Sequence, residues 1–162
     1  MTVVVGGVSH LFQGDLDAGR RAIRRLEEGG LPDGALAEDF DYGAVAVAQR
    51  LEELRPDALV LVGARERGRP PGSVERRDVR PRRLPPGRIQ RAVAEAITGS
   101  MDMDLVLEVA SGLGALPSRT VTVEIEPAIT APSTTLSREV DGALDELVAA
   151  VRDEIQRLSS PA

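Results

Sequence analysis

The opening stretch of this chain constrains its fold more than any other. Val3 to Gly19 reads VVVGGVSHLFQGDLDAG. Val3, Val4 and Val5 are β-branched and fit a strand covered on both faces. Gly6 and Gly7 are expected to end that strand. Gly14 and Asp15 form a turn pair, and Asp15 is placed to cap the helix that follows. A strand feeding a helix through a loop is the unit from which α/β sheets are built, and open sheets of this kind carry their sites at the carboxyl ends of the strands. A site is therefore expected in the loop holding His10 and in whatever faces it.

The rest of the chain repeats the alternation. Residues 16–28 predict a helix with Ala18, Ala22, Ile23 and Leu26 on one face. A short strand over 35–38 leads to the cluster Asp39, Phe40, Asp41, Tyr42, and a helix over 44–54 buries Val47 and Leu51. Residues 58–62 (ALVLV) are the clearest buried strand. Residues 73–79 read as an edge strand kept soluble by Glu75, Arg76 and Arg77. Helices are expected over 88–98, with Ile89, Val93 and Ile97 as the core face, and over 102–113. A strand over 120–125 and a last helix over 137–158 complete the pattern. The expectation is one α/β domain over residues 1–158, in three layers. A mostly parallel twisted sheet of about five strands has helices on both faces. Residues 159–162 are expected to be a frayed tail.

Composition narrows the function. There is no Cys among the 162 residues, which excludes disulfides, zinc fingers and a cysteine nucleophile. His10 is the single His, so no multi-histidine metal site exists. The net charge is −6, which argues against a general nucleic-acid binder. No apolar run is long enough to span a membrane. The N-terminus lacks the basic region and cleavage site of a signal peptide, so the expected compartment is the cytoplasm. One segment runs against the acidic balance: ten Arg face three acids between Arg65 and Arg91. Arg76, Arg77, Arg82 and Arg83 are the expected docking residues for an acidic partner surface. The segment holds no aromatic side chain to stack a base.

The order of these pieces resembles the hydrogenase maturation proteases, endopeptidases that trim the C-terminus of a nickel-containing hydrogenase large subunit. The family's opening loop, G-x-G-N-x-L-x-x-D-[DE]-x-x-G, lies in register on Gly7 to Gly19, with Gly7, Gly14, Asp15 and Gly19 in place. Asp39 followed by Gly43 lies on the family's Asp after the second strand. Pro71-Gly72-Ser73-Val74 lies on its P-G-[ST]-V element. Ser100 to Leu105 lies on an S-H-x-x-x-L helix start, Gly114 to Pro117 on a G-x-x-P break, and Ile125-Glu126-Pro127 on a strand ending in I-E-P. The resemblance implies a three-ligand site that recognises nickel belonging to the substrate protein, with no cofactor of its own. Its ligand positions fall here on Leu16, Asp39 and Met101, so Asp39 alone keeps a metal-ligating side chain. Leucine has no lone pair, and a thioether is a soft ligand. The loop Asn is His10, the second loop Gly is Ser9, and the Asp ending the third strand is Gly63.

The residues leave several roles open. Asp17 and Asp102 neighbour the two lost ligands, and with His10, Asp15, Asp41 and Asp104 they form the acids and the base expected near the cleft. One residue along a helix turns a side chain by about 100°, so a neighbour does not simply inherit a ligand's position. Asp15 and Asp102 equally suit helix starts, where acids are favoured. His10 is either a base, a ligand or a polar loop residue. Phe40 and Tyr42 either wall a peptide groove or pack under the loop. No catalytic residue is assigned. Three functions are carried forward: an endopeptidase acting on a nickel-hydrogenase large subunit, a non-cleaving binder of that precursor or another protein, and an ion- or small-ligand-binding domain. The expected state is a monomer.

Overall fold

The computed structural model describes residues 1–161 and shows an α/β domain. Its strands are β1 (Val3–Val8), β2 (Ala35–Phe40), β3 (Ala58–Ala64), β4 (Val74–Val79) and β5 (Arg119–Ile125). Its helices are α1 (Ala18–Glu28), α2 (Ala44–Leu54), α3 (Pro86–Ile97), α4 (Met103–Gly112) and α5 (Arg138–Ser159). The five strands form one sheet in the order β2-β1-β3-β5-β4. Four strands are parallel, and β4 is antiparallel to β5 at the edge.

Side-chain alternation along each strand divides the core into two layers. Val3 and Val5 on β1, with Val60 and Val62 on β3, pack under α1 and α5. Val4, with Leu59 and Leu61, packs under α2, α3 and α4 together with Phe40. The central strands are buried on both faces, which is why they read as continuous apolar runs.

The structure corrects several boundaries. β1 does not end at Gly6 and Gly7 but runs through them to Val8. The glycines serve close approach. A Cβ on Gly6 would sit 2.2 Å from the Phe40 ring, and one on Gly7 would sit 2.6 Å from Ile23 and 2.7 Å from the Gly19 carbonyl. The first helix is split: Gly14–Asp17 is a 3-10 turn, and α1 starts at Ala18. In α3, Ile97 is not core; it is 78% exposed, while Ala92 and Ala96 are buried. That helix starts at Pro86, where a missing N–H costs nothing. α5 continues through Ser159, and the Ser160 carbonyl accepts from Arg119, so of the expected tail only residues 160 and 161 follow the helix. Ala162 lies outside the described residues.

Candidate functional site

α1 leaves β1 over one face of the sheet, and the chain leaving β3 reaches α3 and α4 on the other. The loops at the carboxyl ends of β1 and β3 therefore part, and a crevice opens between them. A cleft of about 250 Å³ lies there. Ser9 and His10 follow β1, Arg65 and Glu66 follow β3, and Met101 and Asp102 precede α4. Leu16 and Thr130 also line it.

Two of the residues expected at the cleft are there. The His10 backbone N–H donates to the Leu16 carbonyl at 3.0 Å, which folds the loop back on itself. Its Nδ1 is shielded from solvent and meets no hydrogen-bond partner among the described residues. Asp102 accepts from the Leu105 N–H at 2.9 Å through Oδ1 and caps α4. Leu16 and Met101 face the same space and give the cleft an apolar part.

Asp15 has a different role from the helix cap expected of it. It is fully buried, and no side-chain cap bond forms at α1. Its Oδ2 accepts from the N–H groups of Ala128 and Ile129, both at 2.8 Å. Its Oδ1 accepts from the Ser137 N–H at 2.7 Å. Asp15 thus clamps the first loop to the segment between β5 and α5. The Asp15 N–H donates back to the Ile129 carbonyl at 2.8 Å and closes the clamp from the other side.

Asp17, Asp39 and Asp41 form a separate group, and Asp104 is bound by Arg65 and Arg67 away from the cleft lining. Both oxygens of Asp17 accept from Arg20, and Oδ2 also accepts from Arg21. Asp39 is an exposed residue near the end of β2, outside the cleft lining. Partial desolvation of its carboxyl nonetheless pushes its pKa up, Asp41 and Glu27 push it further, and Arg20 and Arg24 oppose them. Arg20 is held charged by its hydrogen bond to Asp17 and by the fields of Asp17, Asp39 and Asp41. His10, Asp15, Asp17, Asp39, Asp41 and Asp102 therefore fall into three places. Among the described residues no three His, Asp or Glu side chains are grouped to hold a metal ion. Phe40 is fully buried in the core layer under α2, α3 and α4, and Tyr42 meets it edge-on at 6.2 Å while staying half exposed.

The sequence motifs reveal their physical work here. The Gly72 N–H donates to the Glu126 carbonyl at 2.8 Å, and the Glu126 N–H donates to the Ser73 carbonyl at 2.9 Å. The buried Glu126 side chain accepts from the backbone N–H groups of Arg67 and Arg69. The P-G-S-V and I-E-P elements thus brace one another and order the loop after β3. Arg65, Glu66 and Thr130 were missed at the cleft, and only their places just after β3 and β5 could have marked them. Of the expected docking arginines, Arg76 is tied to the buried Glu154 of α5. Arg77 reaches Asp104 at 3.5 Å. Arg82 and Arg83 form no ion pair among the described residues.

The loops next to the cleft carry exposed apolar side chains, Leu11, Phe12 and Ile129. Phe12 is 68% exposed and holds a left-handed backbone with φ of 62°. Its carbonyl accepts from the Ser133 N–H at 2.9 Å. A left-handed backbone at a non-glycine residue costs conformational energy, which the loop's hydrogen bonds hold in place.

No protein-family description and no curated protein sequence matches the chain. Solved structures do. The hydrogenase 2 maturation peptidase from a Thaumarchaeota archaeon matches over 96% of this chain and 98% of its own, with 24% identity and a TM-score of 0.68. The hydrogenase maturating endopeptidase HybD from E. coli matches over 98% and 94%, with 18% identity and a TM-score of 0.72. The [NiFe] hydrogenase maturation protease HybD from Thermococcus kodakarensis matches over 94% and 98%, with 16% identity and a TM-score of 0.63. The likeness is one of fold, and it runs from end to end.

Proposed function

We propose that this protein serves hydrogenase maturation, docking on the precursor of a nickel-containing large subunit and removing its C-terminal peptide. The observation that carries the reading is the end-to-end fold shared with solved hydrogenase maturation peptidases. The cleft beside the strand–loop–helix opening supports it, because this is where the resemblance puts the site. Nickel enters with the substrate in this reading; Asp39 is the one ligating side chain at the implied positions, and because it lies outside the cleft lining the docked precursor has to reach from the cleft to the end of β2 to meet it. The protein carries no metal of its own and acts as a cytoplasmic monomer. Among the described residues no helix is long and apolar enough to cross a membrane.

One observation favours a second reading. Leu16 and Met101, at two of the three ligand positions the resemblance implies, line the cleft with apolar surface. A hard or borderline divalent ion gains little from either side chain. In this reading the protein holds the precursor without cutting it. The exposed Leu11, Phe12 and Ile129 then supply the apolar contact.

One experiment separates the two. The purified protein is mixed with nickel-loaded large-subunit precursor, and the precursor is followed by mass spectrometry and size-exclusion chromatography. Loss of the C-terminal peptide, abolished by Asp39→Ala, supports the peptidase. Co-elution with an intact precursor supports the binder. Neither cleavage nor co-elution overturns both.

A further inference from the structure

A larger concavity lies away from the cleft, along the edge of the sheet. It spans about 680 Å³ between β4 and the helices α3 and α4. Its floor is apolar: Val79, Leu84, Leu107 and Leu116. Its rim is cationic, with Arg77, Arg80, Arg82 and Arg88.

The charges at this groove are unevenly matched. Asp104 is already bound by Arg65 and Arg67. Burial works against its carboxylate, but the Arg67 hydrogen bonds and the Arg65 charge prevail and hold it below the usual aspartate range. Glu108 is bound by Arg88, and Asp78 by Arg157. Arg80 and Arg82 form no ion pair among the described residues. Arg82 is nonetheless fixed in place: its N–H donates to Ser111 Oγ at 2.6 Å, and its carbonyl accepts from that hydroxyl at 3.0 Å. A pinned backbone presenting an unmatched guanidinium is suited to a carboxylate.

The strand beside the groove adds backbone recognition. β4 pairs only with β5, so its outer edge is open among the described residues. Its side chains alternate. Arg76 and Asp78 reach partners on α5, whereas Arg77 and Val79 face the groove. An extended segment added along an open edge gains main-chain hydrogen bonds and places alternate side chains in the groove. The lining has no aromatic side chain to stack a nucleobase.

We propose that this groove binds an extended acidic segment of a protein partner, which adds to the free edge of β4 and sets its carboxylates on Arg80 and Arg82. The site is separate from the cleft and does not depend on the maturation reading.

The test is fluorescence anisotropy with a fluorescein-labelled peptide alternating glutamate and leucine. The matching lysine–leucine peptide and a labelled oligothymidylate are measured in parallel. Saturable binding of the acidic peptide is expected. Losing two charge-assisted contacts in the double variant Arg80→Glu, Arg82→Glu should weaken it about tenfold or more. Arg138→Glu, a charge reversal at the start of α5, should leave it unchanged. Hydrogen exchange at the amides of β4 should slow when the peptide is bound. Absence of saturation, indifference to the double variant, or equal binding of the lysine–leucine peptide overturns the proposal. Equal or tighter binding of the oligothymidylate overturns it in favour of a nucleic-acid surface.

Discussion

Asp15→Ala should cost this protein a large part of its stability, although Asp15 sits in the loop expected to carry the site. Its carboxylate accepts three backbone N–H groups at 2.7–2.8 Å from Ala128, Ile129 and Ser137. It has no exposed surface. A hydrogen bond to a charged group is worth about 1.5–3 kcal/mol, and the three share one carboxylate, so they do not add fully. The expected loss is about 4–5 kcal/mol, against a total stability of roughly 5–15 kcal/mol. Asp15→Asn should lose less, about 2–3 kcal/mol, because its amide oxygen still accepts while its NH2 opposes one donor. Urea unfolding followed by circular dichroism measures both. With a slope of about 2 kcal/mol/M, the alanine midpoint falls by roughly 2 M. A ligand or catalytic role alone would leave the stability of the isolated protein almost intact. A midpoint for Asp15→Asn indistinguishable from the unsubstituted protein would refute the clamp.

Four further outcomes are expected. Phe12→Asn should raise stability by about 0.5–1 kcal/mol, since Asn tolerates the left-handed backbone, and should weaken precursor capture; thermal unfolding and co-elution read the two effects. Gly63→Asp, which restores the acid of the resemblance, should destabilise by about 2 kcal/mol or more, because its Cβ would lie 2.6 Å from the Val8 carbonyl; urea unfolding checks it. The raised pKa of Asp39 means that its charge costs more in the folded than in the unfolded chain. Asp39→Asn should therefore raise the melting temperature at neutral pH, and the gain should shrink as pH falls through the folded-state pKa and vanish below the usual value of 3.8. Calorimetric titration with cadmium should give no stoichiometric site in the unsubstituted protein, where Leu16 and Met101 line the cleft and Asp39 lies outside it.

The frame of the fold was legible because the relevant signals are local. The β-branched and aliphatic runs at 3–5 and 58–62 marked β1 and β3, and apolar spacings of three and four marked α1, α2 and α5. Glycines were harder. Gly6 and Gly7 look like a strand terminator by local turn rules, but contacts with Phe40 and Gly19 from distant segments decide their role. Asp15 was legible as a capping residue and not as a clamp, because its partners lie more than a hundred positions away. Separations of 37 to 78 positions likewise hid the pairing of Arg76 with Glu154 and of Arg67 with Asp104 and Glu124. Ile97 kept helical spacing with Ile89 and Val93, yet the small residues Ala92 and Ala96 face the core. At the site, order along the chain found the loops, but it could not show that Asp39 stands apart from the cleft holding Leu16 and Met101.

The place of β5 has a consequence for how the chain is made. It lies between β3 and β4, although both precede it in sequence. A growing chain can join β1, β2 and β3 while synthesis continues. The arginine-bearing β4 leaves the ribosome with no strand to join, because β5 is its sole strand neighbour among the described residues. Its run of Glu75, Arg76, Arg77 and Asp78 limits indiscriminate pairing with apolar segments while the strand waits. Glu124 and Glu126, which gather the arginines of the loop after β3, arrive with β5 or just behind it. Completion of the sheet is thus deferred to one late insertion of non-local contacts, the slow kind of folding step.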